Sequence, residues 1–262
     1  MNIIEAHNIN YNNSYKTIFQ NLDIEIEKEK FTSIIGKNNS GKSILLKLLS
    51  GELITDNNIK IDNIQISKFN IEEISKRVSI ITSYNEFFSK TVLQEILQEK
   101  RNVSVFEINK VRKLLDEFNL LNIEKNSTQD LSYAENQIVA LIKAIVKNPK
   151  VIFLDNAFSK LDSDKRRELL SFLKNYSIKN KITIVLASNN IEDLIYSDRV
   201  ILLEDSNITF DGNYDELIEK TDLKNIGLKL PWTLEVSNKL ILYDLIKEPH
   251  NDIKDIIKEL CK

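Results

Sequence analysis

Apolar and polar residues alternate in two stretches near the start of the chain, NIIEAHNINY (2–11) and NLDIEIEKEK (21–30). A period of two is the mark of strands with one buried face, so two strands are predicted, paired antiparallel. FTSIIG (31–36) is a short apolar run closing on a glycine, the pattern of a fully buried strand. The spacing then becomes helical in SGKSILLKLLSGE, with Ile44, Leu45, Leu48 and Leu49 on one face and Gly51 as the stop. NIKIDNIQI (58–66) returns to alternation, and RVSIITS (77–83) is strand-like.

From about 84 to 148 the pattern is helical, with helices expected near 91–100, 105–119 and 134–147. VIFLD (151–155) and TIVLAS (183–188) are the uninterrupted apolar runs of central parallel strands. Between them lies the helix-patterned SDKRRELLSFLKNY, which makes a βαβ unit. RVILLEDSNITFDG predicts a hairpin and YDELIEK a helix. The tail from about 222, including LKLPWTLEVSNKLILYDLIKEP, reads as an additional helical piece.

Composition narrows the function classes. With 262 residues there is room for one large domain or two small ones. The net charge of -3 comes from 36 basic and 39 acidic residues, with no basic block, which argues against a nucleic-acid partner. The single Cys261 excludes an internal disulfide. No apolar run approaches the ~18 residues of a membrane span, and MNIIEAHNINY lacks the design of a signal peptide. The expectation is a cytoplasmic chain, or one lying on the cytoplasmic face of something else.

The chain has only 5 glycines, and Gly36 and Gly41 bracket a motif. GKNNSGKS (36–43) follows a predicted strand and opens a predicted helix, the setting in which a phosphate-binding loop works. Gly36 and Gly41 let the backbone through Lys37, Asn38, Asn39 and Ser40 wrap so that amide N–H groups point at phosphate oxygens, and Ile44 continues into the helix. Lys42 offers a mobile positive charge to the terminal phosphates. Ser43 offers a hydroxyl to Mg²⁺, and Asp155, at the end of the VIFLD strand, is the expected second carboxylate for that ion.

The order of features over roughly residues 2 to 220 resembles that of ABC-type ATPases. LSYAENQIVALIKAIVKNPKVIFLDNAFSKLD has that family's layout of signature, helix and acidic strand. Leu131, Ser132, Tyr133, Ala134 and Glu135 stand at the signature, Asp162 of SKLD at the D-loop, and TIVLASNNIEDL where the family has a strand and its switch histidine. The resemblance implies an α/β fold of P-loop NTPase type: a RecA-like core, an antiparallel β-subdomain and an inserted helical subdomain at about 84–148. It implies ATP and Mg²⁺ as ligands, and pairing with a second ATPase subunit beneath a membrane coupling subunit.

The departures from the family pattern concern chemistry. Ser83 stands where the family has its Q-loop glutamine, Tyr133 and Ala134 replace two signature glycines, Asn156 replaces the catalytic glutamate, and Asn189 the switch histidine. Asn39 replaces a loop glycine. An amide has no useful basicity, and general-base catalysis typically contributes ~10² to 10⁴-fold. Hydrolysis at the chain's own site is therefore expected to be slow or absent, unless Glu135 or Glu192 takes over as base. Tyr133 is expected to obstruct the approach to a partner's nucleotide, or else to serve only as packing. Tyr11 and Tyr15 flank the place of the adenine-stacking aromatic, where direct alignment puts Asn13.

GLKLPWTLEVSNKLILYDLI (227–246) resembles the C-terminal segment of energy-coupling-factor (ECF) transporter ATPase subunits, with Pro231, Trp232 and Thr233 in its motif. Residues 221–262 are thus expected to form a helical extension, either pairing subunits or covering the domain's own core. The favoured expectation is an ATP-binding transporter subunit with impaired turnover, a heterodimer half. The alternatives are a module outside transport that uses ATP as a regulatory ligand, and an active ATPase with an unusual base.

Overall fold

A computed structural model describes the chain except residues 14–15, 57, 98–102, 222, 224–227, 229, 249, 251–252 and 262. The two early strands are β1 (Asn2–Asn12) and β2 (Thr17–Glu27), antiparallel as their alternation predicts. The segment 58–66 is split into β4 (Asn58–Ile61) and β5 (Ile64–Gln65). Asp62 and Asn63 both have positive φ, 52° and 64°, and so form the two-residue turn that joins them as a hairpin. The sheet order is β2-β1-β4-β5.

The buried strand predicted at 31–36 is β3 (Phe31–Ile35), all five of its residues inside. It lies within a second sheet of order β10-β9-β3-β8-β7-β6. There β6 is Val78–Thr82, β7 Val151–Asp155, β8 Thr183–Ser188, β9 Arg199–Glu204 and β10 Asn207–Gly212. The strands from β9 to β6 are parallel, and β10 adds an antiparallel edge.

Helix α1 (Lys42–Ser50) is packed between the two sheets. Its Leu45, Leu48 and Leu49 share a core with Ile4, Ile9, Phe153 and Val185, and all three leucines are fully buried. At about 1.5–3 kcal/mol for each such side chain, that burial anchors the loop that feeds α1. Gly51 ends the helix in the left-handed region, φ 80°. A short helix, α2 (Ile71–Arg77), precedes β6 and was not foreseen, because only one of its seven residues is buried and no apolar period develops.

The other face of the parallel sheet carries α3 (Val92–Leu97), α4 (Val105–Glu117), α5 (Tyr133–Val146) and α6 (Ser163–Asn180). Val111, Leu115, Leu141 and Leu169 pack there against Ile152, Leu154 and Ile184. The helix expected near 91–100 is thus described as Val92–Leu97, with residues 98–100 outside the described set. Helix α7 (Tyr214–Lys220) closes a third cluster around Ile35, Val200 and Leu217. The tail forms α8 (Trp232–Leu242) and α9 (Ile253–Leu260), joined where the His250 amide donates to Ser237 Oγ at 2.8 Å. Among the described residues no helix is long and apolar enough to cross a membrane.

Asparagine takes on much of the turn-making that glycine usually performs. Of the thirteen described non-glycine residues at positive φ, seven are Asn: 8, 21, 39, 63, 119, 148 and 156. Asn tolerates this region better than other side chains, since its short amide finds local partners.

Candidate functional site

Strand register alone brings the candidate residues together. Ile35 pairs with Ser188, Ala187 with Asp155, and Asp155 with Thr82. Gly36, Asn189, Asn156 and Ser83 each follow a paired strand residue, so all four lie at one edge. This is the carboxyl edge of a parallel sheet, where α/β proteins bind ligands.

The loop 36–43 is built for close approach. A Cβ on Gly36 would lie 2.2 Å from the Leu203 carbonyl oxygen, and Gly41 has φ 99° with Phe19 packed against it. Asn39, at φ 66°, supplies the loop's second left-handed turn without a glycine. Helix α1 starts at Lys42 with no side-chain cap and no acidic residue in its first turn. Its N-terminal amides and the positive end of its dipole thus remain available to an anion. Lys37, Asn38 and Asn39 are exposed, Ser40 is buried, and Ile44 packs against the α1 core.

Lys42 is nearly fully buried, and its Nζ donates to the carbonyls of Gly36 and Lys37, both at 2.7 Å. Burial lowers its pKa to about 8, and the negative charge of Asp155 works in the opposite direction. Ser43 Oγ donates to Asp155 Oδ1 at 2.8 Å, which joins the hydroxyl and the carboxylate expected to serve one cation. The same oxygen accepts from Asn156 Nδ2 at 3.1 Å. Asn156 has φ 48°, and its amide N–H is bonded to the Ala187 carbonyl at 3.0 Å. Asn189 Nδ2 donates to Asn38 Oδ1 at 3.1 Å, bridging the switch position to the phosphate loop.

At the signature, Ser132 is the N-cap of α5 and forms a full capping box with Glu135. Ser132 N and Oγ both donate to Glu135 Oε2, at 2.8 and 2.6 Å, and the Glu135 amide donates back at 3.3 Å. Glu135 is therefore engaged at its own helix end. Leu131 and Ala134 are half-buried and pack against the helical core. Tyr133 turns inward: its hydroxyl donates to the Ala157 carbonyl at 3.0 Å, and Lys160 Nζ lies 5.8 Å from the ring centroid. Asp162 caps α6 by accepting from the Lys165 amide at 2.8 Å.

Two candidates stand apart from this edge. Tyr11 packs on the core of the antiparallel sheet and lines a surface cavity with His7, Asn8, Asp56 and Asn58. Asn13 accepts from the Lys16 amide at 2.7 Å and so shapes its own turn. Tyr15 lies outside the described residues.

One cluster had no signal in the sequence. Asp193, buried behind the switch loop, accepts from Ser188 Oγ at 2.7 Å and pairs with Arg166 Nε at 3.0 Å. Burial pushes Asp193 above the usual carboxylate range, and the Ser188 bond and Arg166 pull the other way. The cluster fastens residue 188, and with it Asn189, to α6. Beyond it a cavity of about 610 Å³ is shared by Lys37, Asn38, Asn189 and Glu192 with Leu230 and Trp232 of the tail.

Comparison with known proteins shows the family and the fold. The ABC transporter family matches residues 19–159, more than half of the chain. The chain is 32% identical over 248 residues to the energy-coupling factor transporter ATP-binding protein EcfA1 of Ligilactobacillus salivarius (strain UCC118), covering 91% of this chain and 88% of that protein. It is 30% identical to the EcfA1 of Oenococcus oeni (strain ATCC BAA-331 / PSU-1), covering 92% and 90%. The solved structure of cbiO1 from Clostridium perfringens, part of the ABC transporter complex cbiONQ, is similar with a TM-score of 0.74. That likeness is at 25% identity and covers 88% of this chain and 96% of the other. The chain belongs to the ABC transporter family, with the ATP-binding proteins of energy-coupling factor transporters among its relatives.

Proposed function

We propose that this chain is the ATP-binding subunit of an ECF-type transporter, held at the cytoplasmic face of the membrane, and that its own site binds MgATP far better than it hydrolyses it. The residues present fit the ligand. Gly36 and Gly41 pack the loop where a Cβ would clash with Leu203 and Phe19, Asn39 turns it at positive φ, α1 opens without a cap, and Lys42 is already drawn in. Ser43 and Asp155 would hold Mg²⁺, which when bound neutralises phosphate charge.

The observation that carries the reading is the Asp155–Asn156 pair. Asp155 Oδ1 receives hydrogen bonds from both Ser43 and Asn156, so the neighbour expected to accept a proton from water is instead a donor to the metal-side carboxylate. The arrangement orients a cation and phosphates and offers no base at that position.

The membrane coupling subunit and a second ATPase subunit are the partners in this reading. Dimer closure upon ATP is the motion they would use. The tail supports a pairing role: Trp232, Leu242, Tyr243, Leu245 and Ile257 are exposed on α8, α9 and their connection. Residues 1–220 would then act as the nucleotide-binding unit and 221–262 as a dimerisation element.

The test measures MgATP affinity and turnover of the purified chain, with and without its partner. Micromolar binding that Lys42→Ala weakens about 100-fold, together with negligible turnover by the chain alone, is expected. Robust turnover by the chain alone that Lys42→Ala removes would sink the proposal. A second reading rests on Glu192, which lines the cavity shared with Asn38 and Asn189 and so has access to the terminal-phosphate side. In that case Glu192→Gln removes whatever turnover is measured and leaves affinity intact.

A further inference from the structure

The first turns of α5 are bonded to the ends of β6 and β7, and both attachments come from side chains. Tyr133, the first residue of the helix, reaches from the signature to the Ala157 carbonyl at 3.0 Å. One turn on, Gln137 is fully buried. In the amide orientation that satisfies its surroundings it donates to Thr82 O at 3.2 Å and Ala157 O at 2.9 Å, and accepts from Asn85 Nδ2 at 3.0 Å. Asn136 Nδ2 donates to Asn85 O at 3.0 Å. Ala157 lies two residues beyond Asp155, whose carboxylate holds Ser43 and Asn156.

We infer that Tyr133 is a positioning residue that transmits the state of the Ser43–Asp155 site to residues 131–137 within the same chain, through its bond to the Ala157 carbonyl. The inference rests on the reading that the site takes MgATP. A cation held by Ser43 draws on the carboxylate to which Asn156 donates, so the Asp155–Ala157 segment must adjust its bonding. The Ala157 carbonyl is the nearest backbone group of that segment gripped by α5. A glycine at position 133 would leave that carbonyl to Gln137 alone, so the tyrosine adds a second grip, at the signature itself.

The geometry suits a link rather than plain filling. Burial raises the Tyr133 pKa, so the phenol keeps its proton and remains a donor at neutral pH. The ring is half-buried against the helical core, with Phe87 and Leu131 in the same cluster, and phenylalanine would fill that space. Of the Tyr133 side chain, only the hydroxyl reaches across to the strand end, beside the Gln137 amide.

Hydrogen exchange of the full chain, read by mass spectrometry with and without MgATP, tests the link. In the wild type MgATP is expected to slow exchange at least threefold both in 36–46 and in 131–137. In Tyr133→Phe the protection at 36–46 and the MgATP affinity remain within twofold, while the change at 131–137 falls by more than half. A purely structural hydroxyl would raise exchange at 131–137 without nucleotide and leave the MgATP-induced change intact; that result overturns the inference. So does a wild type in which 131–137 does not respond although 36–46 does. No response at 36–46, with no measurable binding, sinks the nucleotide reading itself and the link with it. A melting curve of Tyr133→Phe within a few degrees of the wild type confirms that the comparison is between folded proteins.

Discussion

Two helices present their N-termini toward chemistry in this chain, and they are finished in opposite ways. Helix α1 begins on Gly41 with no capping side chain and no acid in its first turn. Helix α5 begins on Ser132 and is closed by Glu135, whose carboxylate takes the N–H and O–H of Ser132. Both have the orphan amides and positive dipole end of any helix start. One leaves that capacity for a ligand and the other satisfies it internally with its own anion. Motif matching alone would rank the two as one intact element and one worn one. Their hydrogen bonds show that the second is a well-built helix end, with Ser132 and Glu135 engaged by each other.

The sharpest way to break the contrast is to disarm α1. Lys42→Ala should weaken MgATP binding about 100-fold by calorimetry, about 2.8 kcal/mol at 1.4 kcal/mol per decade. Ser43→Ala should cost about tenfold when Mg²⁺ is present and almost nothing in its absence, because the hydroxyl acts through the ion. On the α5 side, Ser132→Ala removes the cap and should lower stability by about 1 kcal/mol, a melting shift of about 2–4 °C for a chain of this size. Glu135→Gln keeps the box geometry but discards the charge. It should cost only about 0.3–1 kcal/mol, with greater stabilisation by added sulfate than the wild type shows.

The smallest effect is one of protons. In the folded chain without nucleotide Lys42 titrates at about 8, below its ordinary 10.5. The unfolded chain therefore holds this proton more tightly between those values. The group weighs against the fold in full below about pH 8, and that cost is relieved as pH rises toward 10.5. Phosphates placed against Lys42 would raise its pKa again. Binding at pH 8.5 should thus take up a fraction of a proton and at pH 6.5 almost none, measurable by calorimetry in buffers of different ionisation enthalpy.

How much of this was legible beforehand followed the range of the forces involved. β7 and β8 were plain because strands covered on both faces read as unbroken apolar runs. GKNNSGKS was plain because glycines are so scarce here that a pair five residues apart stands out. The direction of Tyr133 was not, since its hydroxyl is bound by Ala157, 24 residues away in sequence. The Asp193–Arg166–Ser188 cluster was hidden for the same reason: its members come from α6, β8 and the turn after it. Nor could the letters show that Asn156 adopts φ 48°, where an asparagine is at ease and a glutamate is less so. The amide at 156 therefore fits its backbone as well as altering the chemistry.

Trp232 is the chain's only tryptophan, half-exposed on the wall of the cavity it shares with Lys37 and Asn38 of the phosphate loop. The protein thus contains an optical reporter of its own. Its emission comes from one indole, beside the loop proposed to take phosphate, and is free of signal from any second indole in the chain. Nucleotide arriving at residues 36–43 can be followed by the colour and quenching of that emission, with no label attached and no residue replaced.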